Sequence, residues 1–523
     1  MHDVGVHDGG GYAVELVGIT KRFPGVVAND DIHLRVRRGE VHALCGENGA
    51  GKSTLMNVLY GLYRPDKGEI LLDGTAIEFN GPGDAIAAGI GMVHQHFMLI
   101  PVFSVTENIM LGVESTSGPL LTLDRSTARK RIVELSQEHG LRVDPDAIIE
   151  DLPVGVRQRV EILKTLYRHS NLLVLDEPSA VLTPQEIDDL FEVMRSLARA
   201  GTSIIFITHK LNEVLVIADR ITVLRRGKVV GTTTPSATDE AELARMMVGR
   251  PVQLEVSKSP PKVGEEVLTL HDVTVRDDRQ QVAVNGLDLT VRAGEIVAIA
   301  GVQGNGQTEL VEAITGLRHV EHGTIQIAGA PAKADPRHVF AAGVGHVPED
   351  RLEEGLIVGF NVAENMILNS YYLEPYATGL SLHLDAMLAN ATELTREYDV
   401  RTPSVLNDIG NLSGGNQQKV IVAREFSRPL KLLVAAQPTR GLDVGSIEYI
   451  HKRIVAKRDE GTAVLIVSTE LEEVLSLGDR IAVMFQGRIM DILEPAEATP
   501  ERLGLLMGGA HPEEGIVPAG AAT

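Results

Sequence analysis

The chain carries one long segment twice, and this repeat constrains its fold more than any other feature. The first-half stretch LRVRRGEVHALCGENGAGKSTLMNVLYGLYRPDKGEI matches LTVRAGEIVAIAGVQGNGQTELVEAITGLRHVEHGTI in the second half. Lys52 and Gln307 lie 307 − 52 = 255 positions apart, and Leu152 and Leu412 lie 412 − 152 = 260 positions apart. Because solenoid units are far shorter than this period, the repeat indicates a duplicated domain. A chain of 523 residues is long enough for two such domains, each with its own core.

Short apolar runs alternate with helical patterns inside each copy. The runs at 41–45, 172–176 and 203–208 are typical of buried parallel strands. Helices are expected to begin at Lys52 and at Arg157. This alternation predicts an α/β fold with a mainly parallel sheet. Residues from about 97 to 151 and from about 350 to 411 are expected to form a separate helix-rich lobe in each copy.

The repeat also predicts the domain boundaries. We expect the first domain to span residues 12–250 and the second domain to span residues 267–509. The polar, proline-containing stretch 251–266 is typical of a linker. The last residues, 510–523, are predicted to be a disordered tail.

Composition excludes several classes of partner and location. The formal net charge of −22 argues against a nucleic-acid partner, as does an aromatic content of 4% without tryptophan. No apolar run approaches the roughly 18 residues that a membrane helix needs, and the first residues do not form a signal peptide. The single cysteine, Cys45, cannot form an internal disulfide and indicates a reducing compartment. Its position before a glycine-rich loop predicts that it is buried.

The first copy contains a complete phosphate-binding loop. Residues 46–53 read GENGAGKS, which satisfies the pattern G-x-x-x-x-G-K-[ST]. The loop follows an apolar strand and opens a helix, so its backbone amides and the helix end would surround phosphate oxygens. Lys52 would add a positive charge, and Ser53 would ligate Mg²⁺.

Two carboxylates follow a second apolar strand of the first copy. Asp176 suits a Mg²⁺ shell, and Glu177 is placed to orient or deprotonate an attacking water molecule. Without the loop, two acids after a strand would be read as a solvated turn. His209 follows the strand IIFIT and could contact a γ-phosphate. A lone histidine at a strand end is usually structural, so this role depends on a family pattern.

Together these motifs resemble the nucleotide-binding domains of ABC transporters. The segment LSGGN, at 412–416, is similar to the signature motif of that family. The resemblance spans about residues 12–509 and implies two tandem P-loop NTPase domains. Each would have a mainly parallel sheet core, a helical subdomain and an antiparallel β subdomain. It further implies that the two domains of one chain pair head to tail, and that ATP and Mg²⁺ lie between the loop of one and the signature of the other.

The resemblance also assigns a role to each matching residue. It implies catalytic roles for Glu177 and His209, and metal ligation by Ser53, Gln95 and Asp176. Phe23 would stack on adenine. The other nucleotide-binding residues that it implies are Gly46, Glu47, Asn48, Gly49, Ala50, Gly51, Lys52, Ser53, Thr54, Gln95, Ser413, Gly414, Gly415 and Asn416.

The two copies have lost complementary parts. The second copy replaces the catalytic and metal-binding groups of the first, and its counterparts to Lys52, Gln95, Asp176, Glu177 and His209 are Gln307, Glu349, Ala436, Gln437 and Thr469. No aromatic residue stands near Asp278, where Phe23 would repeat. The first copy in turn has LPVGV, from Leu152 to Val156, in place of LSGGN. This pattern predicts one consensus ATP site and one degenerate site.

A tandem cassette with a degenerate second half resembles the bacterial importer ATPases for monosaccharides and nucleosides. The segments MVHQHFMLIPVFSVTENIMLG and AAQPTRGLDVGSIEYIH are similar to the nucleoside branch. The resemblance implies two permease subunits, an extracytoplasmic solute-binding lipoprotein and a peripheral location on the cytoplasmic face of the membrane. The apolar stretch 97–103 would then line a permease groove, or it would be ordinary core of the helical lobe.

Other functions stay open beside the nucleoside importer. A monosaccharide importer of the ribose or galactose type is one alternative. A soluble tandem ABC ATPase acting on ribosomes is another, although such proteins tend to have two competent sites and a long charged linker. DNA-repair ABC proteins carry zinc-binding cysteine clusters, which one cysteine excludes. A purely regulatory nucleotide-binding module is disfavoured because Asp176, Glu177 and His209 are intact.

Overall fold

The computed structural model describes residues 11–94, 97–114, 116–117, 122–179, 182, 184–252 and 256–509. Its contacts divide the chain into two compact units, Met1–Val252 (unit 1) and Gln253–Thr523 (unit 2).

Unit 1 contains twelve strands and eight α-helices among the described residues. The strands are β1 Tyr12–Phe23, β2 Val26–Arg37, β3 Val41–Cys45, β4 Lys67–Leu72, β5 Thr75–Ile77, β6 Ile90–Val93, β7 Thr116–Ser117, β8 Thr122–Leu123, β9 Leu172–Asp176, β10 Ser203–Ile207, β11 Arg220–Arg225 and β12 Lys228–Thr233. The helices are α1 Lys52–Leu59, α2 Pro82–Ala87, α3 Val105–Met110, α4 Arg125–Glu138, α5 Val154–Tyr167, α6 Pro184–Arg199, α7 Leu211–Ile217 and α8 Glu240–Val248.

Two sheets form the body of unit 1. The larger sheet has the order β12-β11-β3-β10-β9-β6, and all its neighbours are parallel except β11 and β12. The smaller sheet, β2-β1-β4-β5, is antiparallel. One apolar core joins the two sheets and α1, and it includes Leu16, Ile32, Leu55 and Val174. Strands of the larger sheet are buried on both faces, as expected for a parallel sheet between layers.

Unit 2 repeats this architecture. Its strands are β13 Glu266–Arg276, β14 Val282–Arg292, β15 Ile296–Ala300, β16 His322–Ile327, β17 Ala330–Pro331, β18 Val344–Val347, β19 Ala377–Thr378, β20 Ser381–Leu382, β21 Leu432–Ala436, β22 Ala463–Ser468, β23 Arg480–Phe485 and β24 Arg488–Leu493. Its helices are α9 Gln307–Ile314, α10 Pro336–Ala341, α11 Val362–Met366, α12 Leu384–Glu397, α13 Gly414–Phe426, α14 Val444–Asp459, α15 Leu471–Leu477 and α16 Pro500–Met507. The sheet orders, β18-β21-β22-β15-β23-β24 and β14-β13-β16-β17, correspond to those of unit 1.

The predicted class, a mainly parallel sheet with an antiparallel β subdomain and a helical subdomain, is confirmed in both units. Strands β3 and β9 have the predicted bounds, and α1 begins at Lys52 as predicted. The prediction that a helix begins at Arg157 is wrong, because α5 begins at Val154. Pro153 precedes that helix, and proline lacks the N–H that a helix interior requires, so the helix starts directly after it. Strand β10 ends at Ile207, one residue earlier than predicted.

The helical lobes contain short hairpins as well as helices. In unit 1 the hairpin β7–β8 lies between α3 and α4, and in unit 2 β19–β20 lies between α11 and α12. Helix α3 begins with a capping box formed by Ser104 and Glu107, and α11 begins with the equivalent box formed by Asn361 and Glu364. Each box satisfies two backbone donors that a helix start leaves unpaired.

Most of the predicted linker belongs to unit 2, and two of its residues are bound to the rest of that unit. The Lys258 ammonium group donates to the carbonyl oxygens of Leu477 and Gly478, at 2.8 and 2.6 Å. The guanidinium of Arg458, which is fully buried, donates to the carbonyl oxygen of Ser259 at 2.9 Å and pairs with Asp479. The polar composition of this stretch therefore serves buried ionic contacts. The predicted tail, 510–523, lies outside the described residues.

Among the helices described, none is long and apolar enough to span a bilayer.

Candidate nucleotide-binding and hydrolysis site

The glycine-rich loop of unit 1 joins β3 to α1. Gly49 and Gly51 have φ angles of 79° and 103°, in the left-handed region that glycine adopts without strain. A Cβ on Gly51 would lie 2.3 Å from the carbonyl oxygen of Ala28, so no larger residue fits there. The loop therefore presents backbone amides and the start of α1 at the carboxyl edge of the sheet, which is the arrangement that binds phosphate.

Lys52 lies inside this loop. Its ammonium group donates to the carbonyl oxygens of Gly46 at 2.7 Å and Glu47 at 3.1 Å. The loop thus surrounds a buried positive charge. Cys45, one residue before the loop, is fully buried, as predicted, and burial raises the pKa of its thiol to about 12 although Lys52 opposes the shift.

Asp176 ends β9, close to Lys52. Burial raises the pKa of Asp176 to about 6; the charge of Glu177 adds to the shift, and Lys52 opposes it. A carboxylate whose ionised form is destabilised in this way gains from a bound cation. Nowhere in the described part of the chain do three His, Cys, Asp or Glu side chains form a metal site by themselves. A Mg²⁺ ion held by Asp176 and Ser53 would complete its shell with phosphate oxygens and water, as is usual for this ion.

Glu177 and His209 come together at the ends of adjacent strands. Glu177 has a φ of 47°, and its backbone N–H donates to the carbonyl oxygen of Ile207 at 2.9 Å. Its Oε1 lies 3.0 Å from Nδ1 of His209. Burial would raise the pKa of Glu177, but the hydrogen bond from His209 and the charges of His209, Lys52 and Lys210 outweigh it, so the pKa is lowered. The group is therefore an ionised carboxylate held in a strained turn, a state suited to orienting water.

Two further residues were predicted for this site from the resemblance. Phe23 is the last residue of β1, and its ring meets the ring of Tyr63 edge to face, with centroids 5.4 Å apart. Gln95 lies outside the described residues.

The LSGGN segment of unit 2 forms the start of α13. Ser413 precedes the helix, and the Asn416 amide donates to Ser413 Oγ at 2.9 Å. A Cβ on Gly415 would lie 2.4 Å from Ser446 Oγ, and a Cβ on Gly414 would lie 2.9 Å from the Arg351 guanidinium. A side chain at either position would require the neighbouring side chain to move. The helix start therefore places first-turn N–H groups beside the exposed residue Ser413.

The corresponding segment of unit 1 forms the start of α5. Gly155 likewise lies close to a neighbouring side chain, since a Cβ there would lie 2.1 Å from Glu186 Oε1. Pro153 stands in place of the serine and supplies no hydroxyl, and Val154 adds a side chain that is largely exposed. The helix start is preserved, but its polar surface is not.

The second glycine-rich loop, at 301–308, keeps the backbone of the first without its charge. Gly306 has a φ of 99° and precedes α9, as Gly51 precedes α1. The Gln307 amide donates to the carbonyl oxygen of Val302 at 2.9 Å, and its Oε1 accepts from the N–H of Asn305 at 3.0 Å. A neutral amide therefore fills the position of the Lys52 ammonium group.

The strand ends of unit 2 are likewise preserved in backbone only. Ala436 ends β21, and Gln437 has the same φ of 47° as Glu177. Gln437 Oε1 accepts from the N–H and the hydroxyl of Thr469, both at 3.2 Å. No carboxylate or imidazole remains at these three positions.

Glu349 places a carboxylate beside the second loop. Its Oε1 accepts from Arg440 at 2.7 Å and from Gln303 at 3.2 Å, and its Oε2 accepts from the hydroxyl of Thr308 at 3.3 Å. Glu312 and Glu354 line the same cleft, and burial together with the neighbouring carboxylates raises the pKa of Glu354. A polyphosphate would meet three carboxylates here, of which Glu349 is paired with Arg440 and Glu312 with Arg318.

The family model described as ABC transporter matches residues 29–180 and 284–440 of the chain. These ranges cover more than half of the chain and include both glycine-rich loops, both strand ends and the LSGGN segment. The chain belongs to the ABC transporter family. It is an ABC-type ATPase with two tandem domains, and ATP is the nucleotide that the family binds.

Relatives of this ABC ATPase match it over nearly its whole length. The guanosine import ATP-binding protein NupO of Bacillus subtilis is 51% identical over 504 residues, which cover 96% of this chain and 98% of the relative. The glucose import ATP-binding protein TsgD13 of Haloferax volcanii is 46% identical over 525 residues, which cover 95% and 96%. Among solved structures, an RNase-L inhibitor matches with a TM-score of 0.62 at 18% identity, over 94% of this chain and 93% of that one. The last likeness concerns the fold alone.

Sequence reasoning predicts residues of the first site one by one, but it missed residues that contact them. Tyr63, which contacts Phe23, and Arg440, which binds Glu349, lie in segments quoted above, but no motif assigns a role to either residue. The repeat carried a signal for Tyr63, because the two copies differ at this position. Arg318 stands 318 − 63 = 255 positions later, at the same offset as the loops. Arg440 carried a comparable signal, because Ala180 stands 440 − 180 = 260 positions earlier, at the same offset as Leu152 and Leu412.

Proposed function

We propose that this ABC ATPase energises an importer for nucleosides and hydrolyses ATP at a single site. The observation that carries the one-site proposal is the ionised Glu177 beside His209 and Lys52 in unit 1, against Gln437, Thr469 and Gln307 in unit 2. A base, a histidine contact and a phosphate-binding charge are together in one unit and together absent from the other.

In this proposal each residue of unit 1 has a distinct task. The loop from Gly46 and the first turn of α1 to Thr54, including Lys52, bind the β- and γ-phosphates, and Phe23 receives the adenine ring. Glu177 orients the attacking water and accepts its proton, while His209 holds the Glu177 carboxylate and contacts the γ-phosphate. Mg²⁺, held by Ser53, Asp176 and Gln95, would neutralise charge that develops on the phosphate oxygens.

The signature of unit 2 completes the same site in this proposal. Ser413, Gly414, Gly415 and Asn416 supply a hydroxyl, an amide and helix-start N–H groups, which favour an anion. The γ-phosphate bound by unit 1 is the anion that they would receive. The start of α5, with Pro153 and Val154, offers no such surface to the second loop.

The second loop is proposed to hold no nucleotide. Gln307 contributes no charge, Ala436 no metal ligand, and Glu349 lies beside the loop hydroxyl of Thr308. ATP entering this cleft would lose the phosphate-binding ammonium group and would meet the carboxylates of Glu312, Glu349 and Glu354.

The proposed partners are two permease subunits and, through them, an extracytoplasmic solute-binding lipoprotein. The import proteins to which the chain is similar support this proposal, as does the absence of a membrane-spanning helix among the described residues. The chain would then lie at the cytoplasmic face of the membrane, held by its permeases. The exposed apolar side chains of Met98 and Val102 are candidates for that contact.

The solute is proposed to be a nucleoside because the guanosine importer subunit is 51% identical. A monosaccharide is the second candidate, since the glucose importer subunit is 46% identical over a similar length. The two sequence identities differ by little, so a transport measurement is needed to distinguish the two solutes.

The test is solute uptake into proteoliposomes that contain the chain, its permeases and internal ATP. We expect uptake of radiolabelled guanosine, competed by other nucleosides but not by glucose or ribose. The matched control is Glu177→Gln, which should abolish uptake without releasing the chain from its permeases. Competition by a sugar alone would favour the monosaccharide importer, and ATP hydrolysis that no permease stimulates would contradict an import role.

A further inference from the structure

Tyr63 is a surface aromatic residue that no motif accounts for. It follows α1 by a few residues and is 38% exposed. Its ring meets that of Phe23 edge to face, with an interplanar angle of 75° and centroids 5.4 Å apart. This geometry is the favoured one for an aromatic pair, in which the positive ring edge meets the negative ring face.

Phe23 is also held from a second direction. The Lys21 ammonium group lies 5.7 Å from the centroid of the Phe23 ring, and it donates to the carbonyl oxygen of Arg64 at 2.7 Å. Phe23 occupies the end of β1, at the turn that leads to β2. The turn by itself would leave the ring free to change rotamer, so contacts from Tyr63 and Lys21 define its orientation.

Unit 2 has exchanged both members of this pair together. Arg318 stands at the position of Tyr63. Asp278 stands at the position of Phe23 and lies in the turn between β13 and β14, which is longer than the turn between β1 and β2. The Arg318 guanidinium pairs with Asp278 at 2.9 Å and with Glu312 at 2.5 Å. The two positions are therefore in contact in both units, as an aromatic pair in the unit with Lys52 and as an ion pair in the unit with Gln307.

From these observations we infer that Tyr63 is a positioning residue for nucleobase binding. It holds the Phe23 ring in the orientation that stacks on a base, and the two rings act as one platform. This inference rests on the proposed role of Phe23 in the nucleotide site. In unit 2 an ion pair replaces the platform, and no aromatic face is left for a base.

The consequence is a selective loss of base binding when Tyr63 is changed. Tyr63→Leu should raise the Kd for MgATP by about 3- to 10-fold, the loss expected for one edge-to-face aromatic pair. It should leave the Kd for inorganic tripolyphosphate unchanged, because the loop and Lys52 are untouched. Tyr63→Phe keeps the ring and should behave as wild type.

The experiment measures the Kd of both ligands for the full chain by equilibrium titration. The variants are Tyr63→Leu, Tyr63→Phe, Phe23→Leu and the double variant of Tyr63→Leu with Phe23→Leu. Arg318→Leu is the matched control in unit 2 and should change neither Kd. If the two rings act as one platform, Tyr63→Leu adds no further loss once Phe23 is leucine.

The possible outcomes distinguish the positioning role of Tyr63 from the proposed binding of the base by Phe23. If Phe23→Leu does not change the ratio of the two Kd values, Phe23 does not bind the base and the proposed site is wrong at that position. If Phe23→Leu changes the ratio but Tyr63→Leu does not, only the positioning role of Tyr63 is overturned. Equal loss of MgATP and tripolyphosphate affinity in Tyr63→Leu, or strict additivity in the double variant, would also overturn it.

Discussion

Glu177 and Gln437 show at the scale of one residue how the two units diverged. Both side chains follow a buried strand, and both residues have a φ of 47°. Glu177 is a carboxylate beside His209, whereas Gln437 is an amide that accepts from Thr469. The backbone conformation that orients the side chain has been kept in unit 2, although the carboxylate has been replaced by an amide. The fold therefore determines the backbone conformation at this position, and the side chain determines whether a carboxylate is present there.

We predict that Glu177→Gln abolishes ATP turnover and leaves MgATP binding nearly unchanged, because the loop and Asp176 are not altered. The reciprocal change, Gln437→Glu, should add no activity, since Ala436, Gln307 and Thr469 still lack the groups that act with a base. Single-turnover hydrolysis of bound ATP measures both variants. Fast cleavage remaining in Glu177→Gln would contradict the role of Glu177.

Cys45 provides a second prediction at this scale. Burial raises the pKa of its thiol to about 12, so the protonated form persists through neutral and mildly alkaline pH. Since the thiolate is the reactive form, the native protein should not react with iodoacetamide at about pH 8. In denaturant the pKa returns to its ordinary value, and labelling should be complete. Mass spectrometry of the two samples gives the result, and rapid labelling of the native chain would show that Cys45 is not buried.

At the scale of elements, the starts of α5 and α13 differ more in surface than in structure. Both helices begin at equivalent positions, and both keep a buried glycine in the first turn, Gly155 or Gly415. Ser413 and Gly414 give α13 a hydroxyl followed by a residue without a side chain, whereas α5 has Pro153 and Val154 at these positions. Helix geometry alone therefore does not distinguish a working signature from a degenerate one.

We predict that Ser413→Ala slows ATP turnover by about 10- to 100-fold, which corresponds to one hydrogen bond to a charged group. MgATP binding to unit 1 should change little, because its loop is intact. Pro153→Ala is the matched change in unit 1 and should leave turnover nearly unaffected. Steady-state ATPase assays with equilibrium titrations compare the two. Greater harm from Pro153→Ala would mean that the proposed pairing of loop and signature is wrong.

At the scale of the whole molecule, two copies of one architecture carry different functional groups. Unit 1 holds the charged loop and the carboxylates, and unit 2 holds the intact signature and a cleft lined by Glu312, Glu349 and Glu354. Each unit has its own core, and the same sheet order recurs in both. Loss of catalytic groups from one unit therefore leaves its fold complete.

The chain should accordingly bind one MgATP tightly. Lys52→Ala should remove this binding, because no other loop of the described chain contains a lysine at that position. Gln307→Lys alone should not create a second site, since Glu349 and Ala436 remain. Isothermal titration of the three proteins measures the stoichiometry. Two equivalent ATP molecules per wild-type chain would contradict the one-site proposal.

Much of the site was predictable because motifs in this fold are local. The loop 46–53 and the pair Asp176–Glu177 each lie within a few residues of a buried strand, so their spacing indicates both element and chemistry. Where local patterns were weaker, the predictions were less accurate. The start of α5 was placed three residues late because the helical pattern was followed instead of Pro153, and the hairpins β7–β8 and β19–β20 are too short to show a period.

The sequence by itself determined the duplication, the α/β class and the loss of charge from the second loop, because each is a matter of residue identity at repeated positions. Only the tertiary structure decided that Lys258 binds next to Asp479, that Glu349 lies between Thr308 and Arg440, and that Tyr63 meets Phe23. These contacts join side chains that lie from 40 to more than 200 positions apart in the chain. Periodicity and motif spacing describe neighbours along the chain, whereas packing of the sheets and helices determines which distant side chains meet.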